Sequence, residues 1–272
     1  MNKVAIFGVP RSGTSWLSQI FNSHPDVCMR YQPLFSYGHK GKLNQMSTQM
    51  EIYSFFEDIY NTSDDFVLSV SEVQKGIYPV FIKSKIESHI IFKETRYLHI
   101  IENVLSKCPD IKIIGIVRNP LAVIASWFKA PKEFCSQWKI LDEWRFAQSK
   151  NQNKPEEFFG FEKWKEATEN FLQFEKTYPN QFKLVRYDSL NHKSCKTTEG
   201  LFKFCGLSFN KQVDNFIKDS KSIHSEDPYS VFRSQGDVNK WNDILPCDIV
   251  KEVKKELKNS RLQTFLDENS NA

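Results

Sequence analysis

The feature that most limits the folds open to this chain is a short apolar run that ends at a glycine and leads at once into a helical pattern. Residues 4–7 read VAIF without a polar interruption, as in a strand buried on both faces of a parallel sheet. Apolar residues then recur at helical spacing over 16–21. The same order returns at 111–117 and 121–128, where Asn119-Pro120 supplies a helix cap and a first-turn proline. Strands that alternate with helices predict an α/β fold of three layers, α/β/α, around a mostly parallel sheet.

Weaker patterns fill in the rest of this architecture. Apolar runs at 90–92 and 182–185 predict two more strands. The mixed pattern over residues 26–45 predicts a loop. Further helices are predicted at 46–60, 97–105, 138–149, 160–178, 197–205, 209–219 and 246–258. No repeat, linker or break in composition divides the chain. Residues 1–272 are therefore predicted to form a single domain, with a disordered polar tail from about residue 266.

Composition narrows the class of protein. With 272 residues, 40% of them hydrophobic and 26% charged, the chain can bury a sizeable core, which excludes collagen-like, disordered and membrane classes. The net charge of +4 suits anionic ligands, but acids interrupt the basic residues, so nucleic acid is not an expected partner. No signal peptide, transmembrane segment or CxxC pair is evident among the six cysteines. A cytoplasmic protein with free thiols is expected.

Two of only ten glycines frame the loop between the first predicted strand and helix. This loop, GVPRSGTS over residues 8–15, would point successive backbone N–H groups into one concavity at a helix N-terminus, where anions bind. Arg11 adds a fixed charge and a fork of donors, and Gly13 allows an anion to approach the backbone closely. Thr14 and Ser15 offer hydroxyl groups to the same oxygens. The loop therefore predicts a phosphate site.

A second anion site is indicated after the strand 111–117. Arg118 follows that strand, where ligands of α/β proteins bind, and Ser126 lies about two turns along the next helix. Together they are predicted to hold a second phosphate, although a structural salt bridge and a solvent-facing serine fit this segment equally well. A metal-dependent NTPase would place an aspartate where Arg118 stands. Trp16, beside the first loop, either packs in the core or stacks on a purine ring.

The two motifs together resemble the sulfotransferase superfamily, which uses 3′-phosphoadenosine 5′-phosphosulfate (PAPS). VAIFGVPRSGTSWLSQIF is similar to its 5′-phosphosulfate loop, and IKIIGIVRNPLAVIASW to its 3′-phosphate motif. FKLVRYDSL is similar to the strand with a tyrosine near the adenine, and VFRSQGDVNKWNDIL to the loop that closes over the nucleotide. HPDVCMRYQPLFSYGHK resembles bacterial-type members. The resemblance implies a P-loop NTPase-like sulfotransferase fold, PAPS as co-substrate, adenosine 3′,5′-bisphosphate (PAP) as product, and no metal.

The resemblance also implies roles for single residues. The 5′-phosphosulfate would be held by Arg11, Ser12, Gly13, Thr14 and Ser15, and the adenine would be flanked by Trp16 and Tyr187. The 3′-phosphate would be bound by Arg118 and Ser126, and the nucleotide site would be closed by Arg233 and Ser234. The chain departs from the cytosolic branch of the family, which has a lysine where this chain has Arg11. It also lacks that branch's basic-basic-glycine run near residue 234.

A general base must take the proton of the attacking hydroxyl group. The segment FKETR resembles the family segment that carries a histidine or glutamate as base, so Glu94 is predicted as the base. Lys93 would be a neighbouring donor, and Arg11 would stabilise charge on the bridging oxygen. A solvated ion pair is the alternative for Glu94, and His99 is the second candidate base. Gln32 lies where some relatives have a glutamate, but an amide cannot act as a base.

The predicted function is transfer of a sulfuryl group from PAPS to an acceptor hydroxyl by in-line displacement. The acceptor is predicted to be a carbohydrate or another small molecule, and the oligomeric state stays open. One alternative is a P-loop kinase that uses ATP and Mg²⁺, which is disfavoured by Arg118 and by the lack of a lysine directly after Gly13. The other is a non-catalytic nucleotide-binding protein, which would bind PAP but form no sulfated product.

Overall fold

A computed structural model of the chain describes residues 1–223, 225–232 and 240–266, and a five-stranded sheet lies at its centre. The strands are β1 (Asn2–Phe7), β2 (Val27–Tyr31), β3 (His89–Glu94), β4 (Lys112–Val117) and β5 (Phe182–Arg186). Their spatial order is β2-β3-β1-β4-β5, and every neighbouring pair is parallel. The α/β class and the parallel sheet predicted from the sequence are confirmed.

Helices connect these strands and cover both faces of the sheet. They are α1 (Thr14–Asn22), α2 (Gln49–Tyr60), α3 (Val70–Gln74), α4 (Ile101–Lys107), α5 (Pro120–Phe128), α6 (Ile140–Glu143), α7 (Gln148–Asn151), α8 (Phe161–Thr177), α9 (Tyr187–His192), α10 (Ser194–Cys205), α11 (Lys211–Ser222) and α12 (Cys247–Leu257). Short 3₁₀ segments lie at Pro33–Phe35, Leu98–Ile100, Lys240–Asp243 and Arg261–Phe265.

Each face of the sheet has its own apolar core, as the doubly buried strands of a parallel sheet require. On one face, Ile6 of β1 belongs to a core that includes residues of α1, α10 and α11. On the other face, Phe7 and Phe92 meet edge to face with their ring centroids 5.7 Å apart, in a core shared with α2, α4, α5, α8 and α12. Successive residues of one strand therefore point into different layers of the fold.

The strand register brings the carboxyl ends of three strands to one edge of the sheet. Phe7 of β1 lies opposite Glu94 of β3 on one side and Gly115 of β4 on the other. The connections that leave β1 and β4 at this edge lead into α1 and α5. In open parallel sheets, ligands bind at the carboxyl ends of the strands. They bind at the point where the connections from two adjacent strands run in opposite directions.

Four segments differ from the sequence predictions, among them the short helix α9, which was not predicted. The predicted loop 26–45 contains the edge strand β2, which pairs with β3. Its apolar run is only three residues long before Arg30, too short for a pattern to separate from a turn. The predicted helix 138–149 is reduced to α6 and the start of α7, because Ala147 adopts a left-handed backbone with φ of 48°. The short helix α3 was not predicted.

The described part of the chain has no helix that is both long and apolar enough to cross a membrane. All six cysteines are free thiols, as the lack of a CxxC pair indicates. The predicted disordered tail lies, from residue 267 onward, outside the described residues. The single domain and the cytoplasmic location stay predictions.

Candidate active site

A cavity of about 930 Å³ opens at the carboxyl edge of the sheet. Its walls include the loop after β1, the first turn of α1, the residues that follow β3 and β4, and one side of α5. The segments 72–78 and 228–231, which follow no strand of the sheet, also contribute to the walls. Side chains of both predicted phosphate motifs therefore face the same space.

The loop between β1 and α1 is fixed by the close packing of its two glycines. A Cβ on Gly8 would lie 2.7 Å from Cγ2 of Ile116, and Gly13 has φ of +92°, which residues with side chains rarely adopt. The first hydrogen bond within α1 runs from the Leu17 N–H to the Gly13 carbonyl. The N–H groups of residues 14–16 thus have no hydrogen-bond acceptor within the helix. They lie at the helix N-terminus beside the cavity, where an anion is favoured.

Arg11 extends from this loop across the cavity toward α5. Its Nε donates a hydrogen bond to Oγ of Ser126 at 3.1 Å, and its Nη2 donates to the carbonyl of Pro228 at 2.8 Å. The guanidinium carbon lies 5.3 Å from the centre of the Tyr229 ring. Residues far apart in sequence thus meet around one guanidinium group, and the loop after β1 is joined directly to the helix after β4.

Arg118 ties the second motif to the first. Its Nη1 donates a hydrogen bond to the Arg11 carbonyl at 3.3 Å, and its guanidinium carbon lies 4.5 Å from the centre of the Tyr187 ring. Within the described residues, no carboxylate oxygen lies within 4.0 Å of this guanidinium group. Arg118 thus has no salt bridge among the described residues, and it lines the cavity.

Two aromatic side chains flank the space beside the loop. The rings of Trp16 and Tyr187 have their centroids 6.1 Å apart at a steep angle, and both line the cavity. The Trp16 Nε1 donates a hydrogen bond to Oγ of Ser220 at 2.9 Å, which fixes the indole. A Cβ on Gly13 would lie only 2.5 Å from the Tyr187 ring. The loop, the tyrosine and the tryptophan therefore form one packed wall, with polar and flat surfaces side by side.

Ser12, Arg233 and Ser234 of the predicted nucleotide site are not among the described lining of the cavity. Ser12 is fully buried beneath the loop and lies outside the described cavity lining, and its N–H donates to the Val9 carbonyl. Ser12 therefore offers no side chain to the described cavity, and its role in holding the phosphosulfate stays a prediction. Arg233 and Ser234, predicted to close the site, lie outside the described residues.

Lys93 and Glu94, at the end of β3, point into different layers of the fold. Lys93 lines the cavity, and burial lowers the pKa of its ammonium group to about 8. Glu94 is fully buried and lies outside the described cavity lining, where its Oε1 accepts a hydrogen bond from the Leu34 N–H at 2.8 Å. Burial raises the pKa of Glu94 to about 8. Because its carboxyl group does not line the described cavity, this geometry does not favour Glu94, and its role as general base stays a prediction.

Residues 3–211 match a family model described as "Sulfotransferase family". The chain belongs to the sulfotransferase family. The match covers both phosphate motifs and all five strands, and it confirms the enzyme class predicted from the sequence, a PAPS-dependent sulfotransferase.

Solved sulfotransferase structures share the fold. Mouse sulfotransferase SULT7A1, solved with PAP, is 15% identical with a TM-score of 0.58, over 99% of this chain and 89% of its own. The sulfotransferase domain of the Synechococcus PCC 7002 olefin synthase is 17% identical with a TM-score of 0.52, over 95% of each chain. A sulfotransferase from Alicyclobacillus acidocaldarius is 13% identical with a TM-score of 0.52, over 98% and 96%. A comparison with curated proteins found no match. At these identities the structures show a common fold alone.

His99, the second candidate base of this sulfotransferase, does not line the described cavity, and Gln32 is excluded as a base because it is an amide. His99 lies outside the described cavity lining, with its ring 6.0 Å from that of Tyr97, and burial lowers the pKa of its imidazole. Gln32 does line the cavity, but its amide oxygen accepts a hydrogen bond from Oγ1 of Thr95 at 2.8 Å. An amide has no basic lone pair to take a proton at neutral pH.

Several charged residues of the sulfotransferase cavity were missed in the sequence, among them Glu72, Glu133 and Lys150. An oxygen of Glu133 lies 4.0 Å from Nη1 of Arg11, and its Oε2 is buried without a hydrogen-bond partner among the described residues. Each of the three lies in a segment without a motif or a clear period. Nothing in the sequence distinguishes them from solvated surface charges, and only the fold brings them to the cavity.

Proposed function

We propose that this sulfotransferase moves the sulfuryl group of PAPS to a hydroxyl group of a small-molecule acceptor in the cavity at the carboxyl edge of the sheet. The observation that carries the proposal is the convergence of two arginine-centred motifs, 8–15 and 118–126, on one cavity that also holds two aromatic rings. PAPS has matching parts, namely an anionic group at each end and a flat base. The PAP in the mouse SULT7A1 structure is a further support.

The parts of the donor are assigned to residues by their chemistry. The N–H groups at the start of α1, with Thr14 and Ser15, bind the 5′-phosphosulfate, because unpartnered N–H groups and hydroxyls donate to anionic oxygens. Arg118 and Ser126 bind the 3′-phosphate. Trp16 and Tyr187 border the adenine, since flat apolar rings stack on a purine.

Transfer is a single displacement at sulfur. The acceptor oxygen forms a bond to sulfur while the bond from sulfur to the bridging phosphate oxygen breaks, and PAP leaves with that electron pair. Arg11, and Lys93 in its protonated form, stabilise the negative charge that grows on the bridging oxygen. Both side chains line the cavity, and no catalytic metal is invoked.

For the base we propose Glu133 in place of Glu94. Glu133 lines the cavity, lies 4.0 Å from the Arg11 guanidinium group and has a buried oxygen without a partner among the described residues. An acceptor hydroxyl that donates to this oxygen would lie close to the cation that binds the transferred group. Geometry of this kind is the first requirement for a general base. The acceptor is a carbohydrate or another small molecule in this proposal, and a bacterial-type enzyme and a cytoplasmic location stay parts of it.

The proposal is tested by calorimetric binding of PAP, AMP and ATP without metal. PAP is expected to bind at least about tenfold more tightly than AMP, because AMP lacks the 3′-phosphate that Arg118 would hold. Arg118→Ala should remove this preference, and Arg118→Lys should keep part of it. Equal affinity for PAP and AMP, or tighter binding of ATP, would contradict the assignment.

Radiolabelled PAPS then tests the transfer itself with a panel of phenols, sugars and glycolipids. Label is expected in an acceptor product that depends on Arg11. Tight binding of PAP with no product from any acceptor class would favour the non-catalytic alternative.

A further inference from the structure

We propose that the acceptor is an acid, with a carboxylate group beside a flat apolar part, and that Lys150 binds this carboxylate. This inference rests on the proposed function, since it identifies the molecule that receives the sulfuryl group. The side chains that carry it are Phe35, Arg96, Lys150 and Phe159, which all line the cavity and are called the acceptor wall below.

Lys150 is a partly buried cation without an anionic partner. In the described part of the chain, its ammonium group has no hydrogen bond and no carboxylate oxygen within 4.0 Å, although it faces the cavity. Burial lowers its pKa, and the charge of Arg96 lowers it further. An ammonium group removed from water in this way gains free energy when an anion is bound beside it.

Two acids act on Lys150, Glu157 and Glu133, but neither has an oxygen within 4.0 Å of its ammonium group. Glu157 pairs instead with Arg96 at 2.9 Å. Glu133, the other acid that acts on Lys150, lies 4.0 Å from Arg11. The remaining charged neighbour, Lys154, is a further cation. Lys150 is therefore the charge of this wall that the described part of the protein leaves unmatched.

The donor nucleotide does not account for this charge. The anion sites for the donor are grouped around Arg11 and Arg118, which contact each other, while the charges that act on Lys150 are those of Arg96, Glu157, Glu133 and Lys154. Among the described residues no hydrogen bond, ion pair or ring contact joins Lys150 to either donor arginine, and we therefore assign Lys150 to the acceptor.

The rest of the acceptor wall is aromatic. The Lys150 ammonium lies 5.1 Å from the centre of the Phe159 ring, and the Arg96 guanidinium carbon lies 3.9 Å from that of Phe35. Phe35 is 40% exposed and pairs with the exposed Phe66 at a centroid distance of 5.7 Å. Exposed rings at the mouth of a cavity favour a flat apolar surface on the bound molecule. A carboxylate for Lys150 and a flat body for the rings define the ligand class.

The test uses 2-naphthoate and its neutral amide, 2-naphthamide, as a matched pair of probes on the full chain loaded with PAP. The affinity of each is measured by calorimetry. Naphthoate is expected to bind at least about tenfold more tightly than the amide, because a charge-assisted hydrogen bond is lost in the amide. Lys150→Gln should abolish this difference. Lys154→Gln, which removes the same charge from an exposed neighbour, should leave it unchanged.

Each other outcome would overturn the proposal. Equal binding of the two probes, tighter binding of the amide, or a preference for naphthoate that survives in Lys150→Gln would show that Lys150 selects no acid. Binding of neither probe would show that a ring and a carboxylate are not what the wall recognises. PAP affinity is measured first on the same sample, so that a failure of the donor site is distinguished from a failure of the acceptor wall.

Discussion

The two sides of the cavity are built in different ways. On the donor side, the loop after β1 and the residues after β4 are short segments at strand-to-helix junctions, and they are joined by the contacts of Arg11 with Ser126 and Arg118. On the acceptor side, the lining comes from the 3₁₀ turn at 33–35, from segment 66–78 and from residues 129–159. The donor side is thus a property of the sheet edge, while the acceptor side is assembled from connections.

The two sides therefore have different roles: the sheet edge provides the donor chemistry, and the connections select the acceptor. Backbone N–H groups at a helix N-terminus favour anions, so the donor side has few possible ligands. Connections between elements can change length and side chains without disturbing the sheet. In our proposal, the charges of Glu133 and Lys150 are therefore specific to the acceptor of this chain. The following predictions compare the effects of changes on the two sides.

The greatest loss of activity is expected on the acceptor side. Glu133→Gln should reduce kcat by about 10²–10⁴-fold for alcohol acceptors, because the amide cannot take the hydroxyl proton. PAP affinity should stay within about twofold, since Glu133 has no role in holding the donor. The loss should shrink for phenols of low pKa, which ionise without help. Initial rates with labelled PAPS and acceptors of graded pKa measure this trend.

Glu72→Gln is the matched control, because Glu72 also lines the cavity but lies outside the Arg11 cluster. Near-normal turnover of alcohols by Glu133→Gln, or an equal loss in the two variants, would exclude Glu133 as the base.

A smaller effect is expected from the donor loop. Gly13→Ala should weaken PAP binding by at least about tenfold, because a left-handed residue costs about 1–2 kcal/mol and the new Cβ would lie 2.5 Å from the Tyr187 ring. Gly41→Ala is the matched control: Gly41 also has positive φ, +75°, but no atom lies within 4 Å of the place that the new methyl group would take. Calorimetry with PAP and thermal unfolding separate the two contributions. Equal PAP affinity in both variants would mean that the contact with Tyr187 does not shape the donor site.

The smallest effect on catalysis is expected for Glu94, whose carboxyl group accepts a hydrogen bond from the Leu34 N–H behind the acceptor side. Its pKa is about 8 in the folded protein against an ordinary value of 4.5, so the folded state holds the proton more tightly than the unfolded state. The free energy of unfolding should therefore fall as pH rises from about 5 to 8, by less than about 1.4 kcal/mol per pH unit for one proton. Glu94→Gln should flatten this slope, and the exposed Glu102→Gln should not. Chemical denaturation at several pH values measures it, and an unchanged slope in Glu94→Gln would refute the assignment.

Part of the fold follows from local sequence. The buried runs of β1 and β4 and the cap at Asn119 are short-range features, and each gives its structure without reference to distant residues. The loop glycines are recognised from their place after β1, although they pack closely against the distant residues Ile116 and Tyr187. In contrast, β2 is a strand because β3 lies beside it, and its own pattern is too weak to show this. The predicted helix at 138–149 fails for the same reason, since packing of the surrounding segments sets the left-handed backbone at Ala147.

The candidate site likewise has one part that the local sequence predicts and another part that depends on tertiary packing. The two anion motifs could be read from the amino-acid order alone, because a loop between a strand and a helix creates an anion site wherever the chain places it. Tertiary packing was needed to show that Lys93 faces the cavity while Glu94 turns into the opposite layer, because the two faces of a strand are equivalent until packing assigns them. Packing also brings Glu133 and Lys150 to the same cavity, since contacts across many residues are set by the sheet order and by how the connections pack over it.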